Sequence, residues 1–181
     1  MPTLRARTSR MIEIKPHPIG RCQIRVPGSK SYTHRMLIAA ALSDGACAVR
    51  NPLRSQDTLL TLTALEKMGI AVTDREQTIA IDGLNGQFKP CSEPIYLANS
   101  GTSMRLLTGV AALGEGTYRL TGTPRMYQRP IGHLLEALNQ LGIAAQSIED
   151  NGCPPVEIPG GQAMGGSVAI NCSVSSKDER N

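Results

Sequence analysis

The residues best suited to bind an anion lie near the beginning of the chain, in a segment of glycine, serine and lysine. Pro27-Gly28-Ser29-Lys30-Ser31 follows an alternating run that predicts a strand at residues 22–26, and it precedes an apolar run typical of a helix. Free N–H groups and the helix dipole favour a negative charge at a helix start. Lys30 adds a positive charge, Ser31 adds a hydroxyl, and Arg35 lies one turn later on the same face. The segment therefore predicts a phosphate or carboxylate site.

The spacing of this segment does not match a Walker phosphate-binding loop. A solvated glycine–serine loop is the simplest alternative, because most such loops have no ligand. A second segment of the same kind, Asn99-Ser100-Gly101-Thr102-Ser103, again joins a predicted strand to an apolar helix. Its glycine allows a ligand to approach the backbone closely. An ordinary helix cap is the alternative for this second segment.

Two arginines form a third candidate. Arg125 and Arg129 precede Pro130, and we predict that Pro130 is the first residue of a helix. Arginine binds carboxylates and phosphates through two parallel hydrogen bonds. We favour Arg129 as the anion ligand, whereas a surface ion pair is an equal alternative for Arg125. The hydroxyl run at residues 173–176 is a fourth candidate for phosphate binding, with a polar tail as its alternative.

The composition excludes several classes of protein. Aromatic residues are only 3% and the net charge is +4, which argues against a base-stacking surface and a basic duplex-binding stripe. The three histidines are not spaced for a metal site. No apolar run is long enough for a membrane span, and no apolar signal core follows the arginines at the beginning. Five dispersed cysteines indicate reduced thiols and a cytoplasmic protein.

The predicted elements occur twice in the same order. Residues 22–84 predict β-α-β-α-β-β, and residues 93–161 predict the same series. Gly28 and Gly101 differ by 73 positions, and the glycines that end the two second helices keep this spacing. A steady period of this length indicates a duplicated unit. The first helix of each unit is apolar on nearly all sides, so we expect a mixed α/β (α+β) fold with enclosed helices and outward-facing sheets.

The four segments, in this order, resemble the 5-enolpyruvylshikimate-3-phosphate (EPSP) synthase family, the 3-phosphoshikimate 1-carboxyvinyltransferases. The resemblance extends from about residue 11 to Ser176 and is specific, because four separate motifs match in order. The related enolpyruvyl transferase that acts on a UDP-sugar fits less well, since its cysteine-bearing loop is missing here. The matching residues are Pro27–Ser31 with Arg35, Asn99–Thr102 with Met104 and Arg105, Arg125 with Arg129–Gly132, and Ser173–Ser176.

The resemblance implies an activity and a set of site residues. The family transfers the enolpyruvyl group of phosphoenolpyruvate to the 5-hydroxyl of shikimate 3-phosphate and releases phosphate, without metal or organic cofactor. This reaction belongs to aromatic amino acid biosynthesis. Lys30 is the implied catalytic residue and touches both substrates. The implied ligands of shikimate 3-phosphate are Ser31, Arg35, Ser175 and Ser176. Gly101 and Arg129 are the implied ligands of phosphoenolpyruvate, and Asn99 shapes the loop that carries Gly101. Arg125 and Lys177 are further implied substrate-binding residues.

The resemblance also implies how the chain is divided. Residues 1–20 correspond to a leader and a strand of another domain, and residues 21–181 to an incomplete N-terminal domain. Within it, residues 165–176 would begin a third unit. The family's second domain, which carries an acidic proton-transfer residue, is not part of the resemblance, so we expect the chain alone to be inactive. Lys177 replaces the family's glutamine, and Leu106 stands where many glyphosate-sensitive members have proline.

Three alternatives remain at this point. The chain is half of an enzyme that needs its missing half, a non-catalytic phosphate-binding fragment, or an RNA-end-processing relative of similar fold. An interrupted third unit would leave an exposed strand edge and apolar surface. We therefore expect association with the missing half or self-association, and no nucleic-acid or membrane partner.

Overall fold

The computed structural model describes residues 13, 15–16, 20–24, 26–161 and 165–170. Within these ranges the chain forms helices and short strands in alternation. The helices are α1 (Lys30–Leu42), α2 (Gln56–Lys67), α3 (Gly101–Ala111) and α4 (Gly132–Gln140), with a 3₁₀ turn at Met126–Gln128. The strands are β1 (Asp44–Arg50), β2 (Ala71–Arg75), β3 (Thr78–Leu84), β4 (Ile95–Tyr96), β5 (Thr117–Thr121), β6 (Gln146–Ser147) and β7 (Val156–Pro159).

The strands form two sheets with related topology. The first sheet has the order β1-β3-β2, and the second has the order β4-β5-β7-β6. β1 and β2 are antiparallel to β3, as β5 and β6 are to β7, while β4 is parallel to β5. The second sheet therefore repeats the first and adds β4 at its edge. This order repeats the α-β-α-β-β part of the predicted β-α-β-α-β-β unit, and among the described residues only the second unit has the predicted first strand.

A single apolar core joins both sheets and the helices. Side chains on the inner faces of the strands alternate with exposed ones, as a sheet with one solvated face requires. α1 keeps one exposed face, which carries Tyr32 and Met36, so it is less enclosed than its apolar sequence predicts. The largest fully buried side chains are Tyr118, Phe88, Leu37, Leu65, Met68, Ile81, Ile95, Leu97, Met104, Leu107, Leu120 and Met126.

Local sequence signals fix the ends of α2. The Ser55 hydroxyl accepts a hydrogen bond from the Thr58 amide, and the Thr58 hydroxyl accepts one from the Ser55 amide, which completes a capping box. Asp57 lies in the first turn and Lys67 in the last, as the helix dipole favours. Gly69 follows with φ of 93°, in the region that favours glycine. Serine is a favoured N-cap residue, so the sequence itself predicts this start of α2, and the structure confirms it.

Three predicted strands differ from the structure. Residues 22–24 and 26 form no strand, and Ile24 and Val26 are 77% and 78% exposed. Residues 165–170 form no strand either; the side-chain amide of Gln140 donates to the Ala169 carbonyl and accepts from its amide instead. The apolar run at residues 143–145 also predicts a strand, and the structure has this strand at β6 instead. A strand needs a hydrogen-bonded neighbour, and an apolar pattern alone does not supply one.

Some predicted elements lie outside the described residues. The weak alternation at residues 11–14 also predicts a strand, but only Glu13 of this segment is described. The hydroxyl run at residues 173–176 is not described at all. Among the described residues, no helix has the length and apolar character needed to cross a membrane. The four cysteines of the described ranges are free thiols: Cys22, Cys47, Cys91 and Cys153.

We expect the hydroxyl of Tyr118 to contribute measurably to the stability of the fold. Its ring is fully buried, and its hydroxyl donates to the carbonyls of Phe88 and Lys89 at 3.1 and 2.9 Å. We expect Tyr118→Phe to lower the free energy of unfolding by about 0.5–1.5 kcal/mol, the contribution of one hydrogen bond, because the Phe88 carbonyl keeps the Glu115 amide as a donor. Urea denaturation measures this loss. Tyr96→Phe, at a half-exposed ring, is the matched control and should change stability by less than about 0.5 kcal/mol.

Candidate functional site

The first anion-binding segment forms the beginning of α1. Ser29 is the N-cap and Lys30 is the first helical residue. Ser31 and Arg35 are both exposed, and the Arg35 guanidinium donates to the Ser31 carbonyl at 3.0 Å. The structure therefore brings Lys30, Ser31 and Arg35 to one helix start, as the sequence predicts. Gly28 is needed before it, because a Cβ there would lie 2.6 Å from the Asn51 carbonyl oxygen.

Lys30 is paired with a carboxylate. Its ammonium group contacts the Asp57 carboxylate, and the two side chains are 47% and 28% exposed. Asp57 is the second residue of α2, so the ion pair joins the starts of α1 and α2. The position of Asp57 two residues after Ser55 predicts that it lies in the first turn of a helix, but no local pattern identifies it as the partner of Lys30. An anion that binds Lys30 would share or displace this contact.

The second anion-binding segment forms the beginning of α3. Ser100 is the N-cap, and its hydroxyl accepts from the Ser103 amide at 3.4 Å. Gly101 is the first helical residue and is buried. The Arg129 guanidinium lies directly over it, since a Cβ on Gly101 would be 2.5–2.7 Å from three guanidinium atoms. Arg129 also donates to the Asn99 carbonyl at 3.0 Å. The structure thus brings Asn99, Gly101 and Arg129 together.

The arginine segment differs from its prediction in one respect. α4 begins at Gly132 with Ile131 as its N-cap, so Pro130 lies before the helix and is not its first residue. The Ile131 amide instead donates to the Gly152 carbonyl at 2.9 Å, and Arg129 itself is in extended backbone. Arg129 therefore serves the start of α3 rather than that of α4. Arg125 is exposed and begins the 3₁₀ turn without a side-chain cap bond.

The starts of three helices meet at this site. The Ser103 hydroxyl donates to the Asp57 carbonyl at 3.2 Å, which links α3 to α2, and Asp57 in turn contacts Lys30 of α1. Three positive ends of helix dipoles therefore converge with the cations of Lys30 and Arg129. Such an arrangement favours ligands with several negative charges. Ser175, Ser176 and Lys177 lie outside the described residues.

A buried polar chain lies beneath the helix starts, and sequence reasoning missed it. His34 Nδ1 lies 2.8 Å from the Thr61 hydroxyl, which lies 2.8 Å from the Ser103 hydroxyl. All three side chains are fully buried. The one available signal was that His34 lies four residues after Lys30, on the same helix face. No group of three or more potential metal ligands occurs in the part of the chain that the structure describes.

We expect the free energy of unfolding to depend on pH through His34. Burial lowers its pKa below the ordinary value of 6.5; the charges of Lys30 and Arg35 also lower it, and only Asp57 opposes them. The unfolded chain therefore takes up this proton at higher pH than the folded chain does. We expect this contribution to stability to be fully present above about pH 6.5 and to fall as the pH decreases toward the folded-state pKa.

Urea denaturation at several pH values checks this expectation. His34→Gln should remove most of the fall in stability between pH 6.5 and lower pH, whereas His133→Gln should leave it unchanged. His133 is exposed on α4, so it serves as the matched control. A chain that loses no stability as the pH decreases below 6.5 would contradict the assignment of a neutral, buried His34.

The comparisons with known proteins agree on one family. The family model of EPSP synthase (3-phosphoshikimate 1-carboxyvinyltransferase) matches residues 18–179. A 3-phosphoshikimate 1-carboxyvinyltransferase of Pseudoalteromonas translucida is 43% identical over 171 residues, which are 92% of this chain and 40% of that protein. One of Methanospirillum hungatei is 42% identical over 164 residues, 88% of this chain and 38% of that protein.

A solved structure is also similar. The EPSP synthase from Acinetobacter baumannii matches with a TM-score of 0.74 and 33% sequence identity, over 80% of this chain and 33% of that one. This match confirms the predicted fold class, a mixed helix and sheet fold of the enolpyruvyl transferase type that is incomplete here. The chain spans about 40% of the length of the curated relatives it matches.

Proposed function

The chain belongs to the EPSP synthase family, and from this premise we propose that it is the N-terminal part of a 3-phosphoshikimate 1-carboxyvinyltransferase. The complete enzyme would transfer the enolpyruvyl group of phosphoenolpyruvate to the 5-hydroxyl of shikimate 3-phosphate and release phosphate. The reaction proceeds by addition and elimination through a tetrahedral intermediate. It needs no metal or organic cofactor.

The convergence of three helix starts carries this proposal. α1, α2 and α3 meet through the Lys30–Asp57 ion pair and the Ser103–Asp57 hydrogen bond. The substrates are two polyanions that must lie side by side, and their mutual repulsion is large unless cations and N–H dipoles surround them. Lys30 and Arg129 supply cations at two of these helix starts. This arrangement supports a site for two anionic ligands rather than one.

We assign roles to the residues as follows. Lys30 lies between the two ligands and is the catalytic residue. Ser31 and Arg35 hold shikimate 3-phosphate, with Ser175 and Ser176 as ligands of its phosphate group. Gly101 and Arg129 hold phosphoenolpyruvate, and the Asn99 backbone orients Arg129. Arg125 and Lys177 are further substrate ligands.

We also propose the place of this chain in the complete enzyme. Residues 21–181 form part of an N-terminal domain, with units at about 22–84 and 93–161 and a third unit beginning at 165–176, while residues 1–20 contribute a leader and a strand to the other domain. The partner is the remaining part of the enzyme or a second copy of the chain. A cytoplasmic location agrees with the free cysteines of the described residues.

Calorimetric titration tests the binding half of the proposal. The chain should bind shikimate 3-phosphate more tightly than either unphosphorylated shikimate or inorganic phosphate, because the site has cations for the phosphate and hydroxyl partners for the ring. Equal, weak binding of shikimate 3-phosphate and inorganic phosphate would favour a non-catalytic phosphate-binding fragment. No binding by a folded chain would mean that the site needs the remaining part of the enzyme.

A complementation assay tests the catalytic half. The remaining part of the Pseudoalteromonas translucida relative, produced separately, is mixed with this chain, and phosphate release from both substrates is followed. We expect release only from the mixture, because neither part has all the groups that the addition and elimination steps need. Release by this chain alone would contradict the proposal that it is an incomplete enzyme.

A further inference from the structure

The hydrogen-bonded chain beneath the helix starts has one direction in which all of its close contacts are hydrogen bonds. Ser103 Oγ donates its single proton to the Asp57 carbonyl, because a carbonyl only accepts. Ser103 must then accept from its two other hydroxyl neighbours, Ser100 at 2.7 Å and Thr61 at 2.8 Å. The Thr61 proton is thereby used, so Thr61 must accept from His34. The donor on His34 is therefore Nδ1–H.

This direction fixes the state of the imidazole. With its proton on Nδ1, a neutral His34 has a bare acceptor at Nε2, and Nε2 is buried without a hydrogen-bond partner among the described residues. Protonation would place a second N–H there, again without a partner, and a charge beside Lys30. An unpaired buried donor with a charge costs more than an unpaired acceptor. The surroundings thus favour one tautomer and the neutral form.

The chain also connects parts of the site that are distant in sequence. His34 lies on α1 one turn after Lys30, Thr61 lies in the middle of α2, and Ser103 lies in the first turn of α3. Ser100 is the N-cap that precedes Gly101. Direct hydrogen bonds therefore run from the helix that carries Lys30 to the loop that carries Gly101. Apart from His34 Nε2, the side-chain groups of this network have partners, and buried networks of this kind hold elements in one arrangement.

We propose that His34 is a positioning residue which, with its proton on Nδ1, acts through Thr61 and Ser103 to hold the start of α3 in fixed register with the start of α1. The inference rests on the proposed function only in assigning these two helix starts to two ligands. The hydrogen-bonded chain itself is a property of the ligand-free protein. His34 touches neither ligand in this account and takes no part in proton transfer.

Nitrogen-detected NMR of the imidazole gives the first test. In the ligand-free chain at neutral pH, His34 should show a protonated Nδ1 and an unprotonated Nε2. A spectrum with the proton on Nε2 would overturn the proposal, because Thr61 would then donate to His34, Ser103 would donate to Thr61, and the Asp57 carbonyl would lose its Ser103 donor. Exposed His133 provides the reference spectrum in the same sample.

Amide hydrogen exchange gives the second test. Thr61→Val keeps the shape of the side chain but removes the hydroxyl, so the Ser103 amide in the first turn of α3 should exchange about tenfold faster. Thr61→Ser should restore slow exchange. Thr108→Val is the matched control, because Thr108 is equally buried on α3 itself and bonds only to the Met104 carbonyl. Equal acceleration by Thr108→Val, or none by Thr61→Val, would overturn the proposal.

Titration with shikimate 3-phosphate separates this inference from the proposed function. Thr61→Val should weaken binding about threefold to tenfold, and Thr61→Ser should restore it. If the wild-type chain does not bind the ligand, the proposed site needs the remaining part of the enzyme, and the titration says nothing about His34. The spectrum and the exchange rates still decide the positioning role, because they are recorded without ligand.

Discussion

Lys30→Ala lowers the affinity for shikimate 3-phosphate about 100-fold, and this is the largest effect that we expect from one substitution. Lys30 supplies the full positive charge at the start of α1, where the ligand phosphate lies in the proposed site. A charge-assisted hydrogen bond contributes about 1.5–3 kcal/mol. The substitution also leaves the Asp57 carboxylate unpaired, and this carboxylate then repels the phosphate. Calorimetric titration measures the combined loss.

The fold should tolerate this substitution. Lys30 is an exposed first residue of a helix, alanine is a strong helix former, and an exposed ion pair contributes at most about 1 kcal/mol. Lys67→Ala is the matched control, because Lys67 is a similarly exposed lysine that pairs with Glu93 at the other end of α2. An equal loss of affinity with Lys67→Ala would contradict a specific role for Lys30.

A double variant isolates the part of the loss that comes from Asp57. Asp57→Asn keeps the size of the side chain and removes its charge. Lys30→Ala combined with Asp57→Asn should therefore bind shikimate 3-phosphate about tenfold more tightly than Lys30→Ala alone, because the repulsion is gone. A double variant as weak as the single one would show that the Asp57 charge has no influence on the ligand.

The sequence predicted features whose causes are local. Ser55 caps α2 because a short hydroxyl can reach the amide three residues later, and this requires no knowledge of the rest of the chain. Lys30 lies at a helix start because Gly28 and Ser29 interrupt the preceding run. The hairpin of β2 and β3 follows from two alternating runs separated by a turn. The repeat was visible because both units keep these local signals at a constant spacing.

The sequence did not predict features that depend on contacts distant along the chain. Asp57 meets Lys30 across 27 positions, and Ser103 meets Thr61 across 42 positions. No local pattern identifies these partners, since a buried threonine and a buried leucine occupy equivalent places in an amphipathic helix. Arg129 lies in extended backbone after the 3₁₀ turn and contacts Gly101, whereas the presence of Pro130 suggested a helix start there instead.

The predicted strands that did not form have the same explanation. β4 is only two residues long, yet it forms because β5 lies beside it in parallel. The equivalent segment of the first unit, residues 22–26, has a comparable apolar alternation but no such pairing at the described residues. A strand forms only when a neighbouring strand is present to pair with it. An alternating pattern therefore predicts which side chains face inward, but it does not predict whether the backbone is hydrogen-bonded to a neighbour.

Gly101→Ala is the second substitution from which we expect a large effect, and the effect should be selective. An added Cβ would lie 2.5–2.7 Å from the guanidinium of Arg129, which is too close for any real contact. The guanidinium is the end of a flexible side chain, so it moves away and loses its hydrogen bond to Asn99. Affinity for phosphoenolpyruvate should fall about 10- to 100-fold, the contribution of a displaced arginine to anion binding.

The selectivity distinguishes a displaced ligand from a damaged fold. Gly109→Ala is the matched control on the same helix, because a Cβ there meets no atom within 4 Å. Alanine is favoured over glycine in a helix, so both variants should remain folded.

Gly101→Ala should keep its affinity for shikimate 3-phosphate, whose proposed ligands Ser31 and Arg35 lie on α1. NMR titration with phosphoenolpyruvate, in the presence of saturating shikimate 3-phosphate, measures the loss. An equal loss of both affinities would contradict the assignment of separate helix starts to separate ligands, because only a general disruption of the site weakens both.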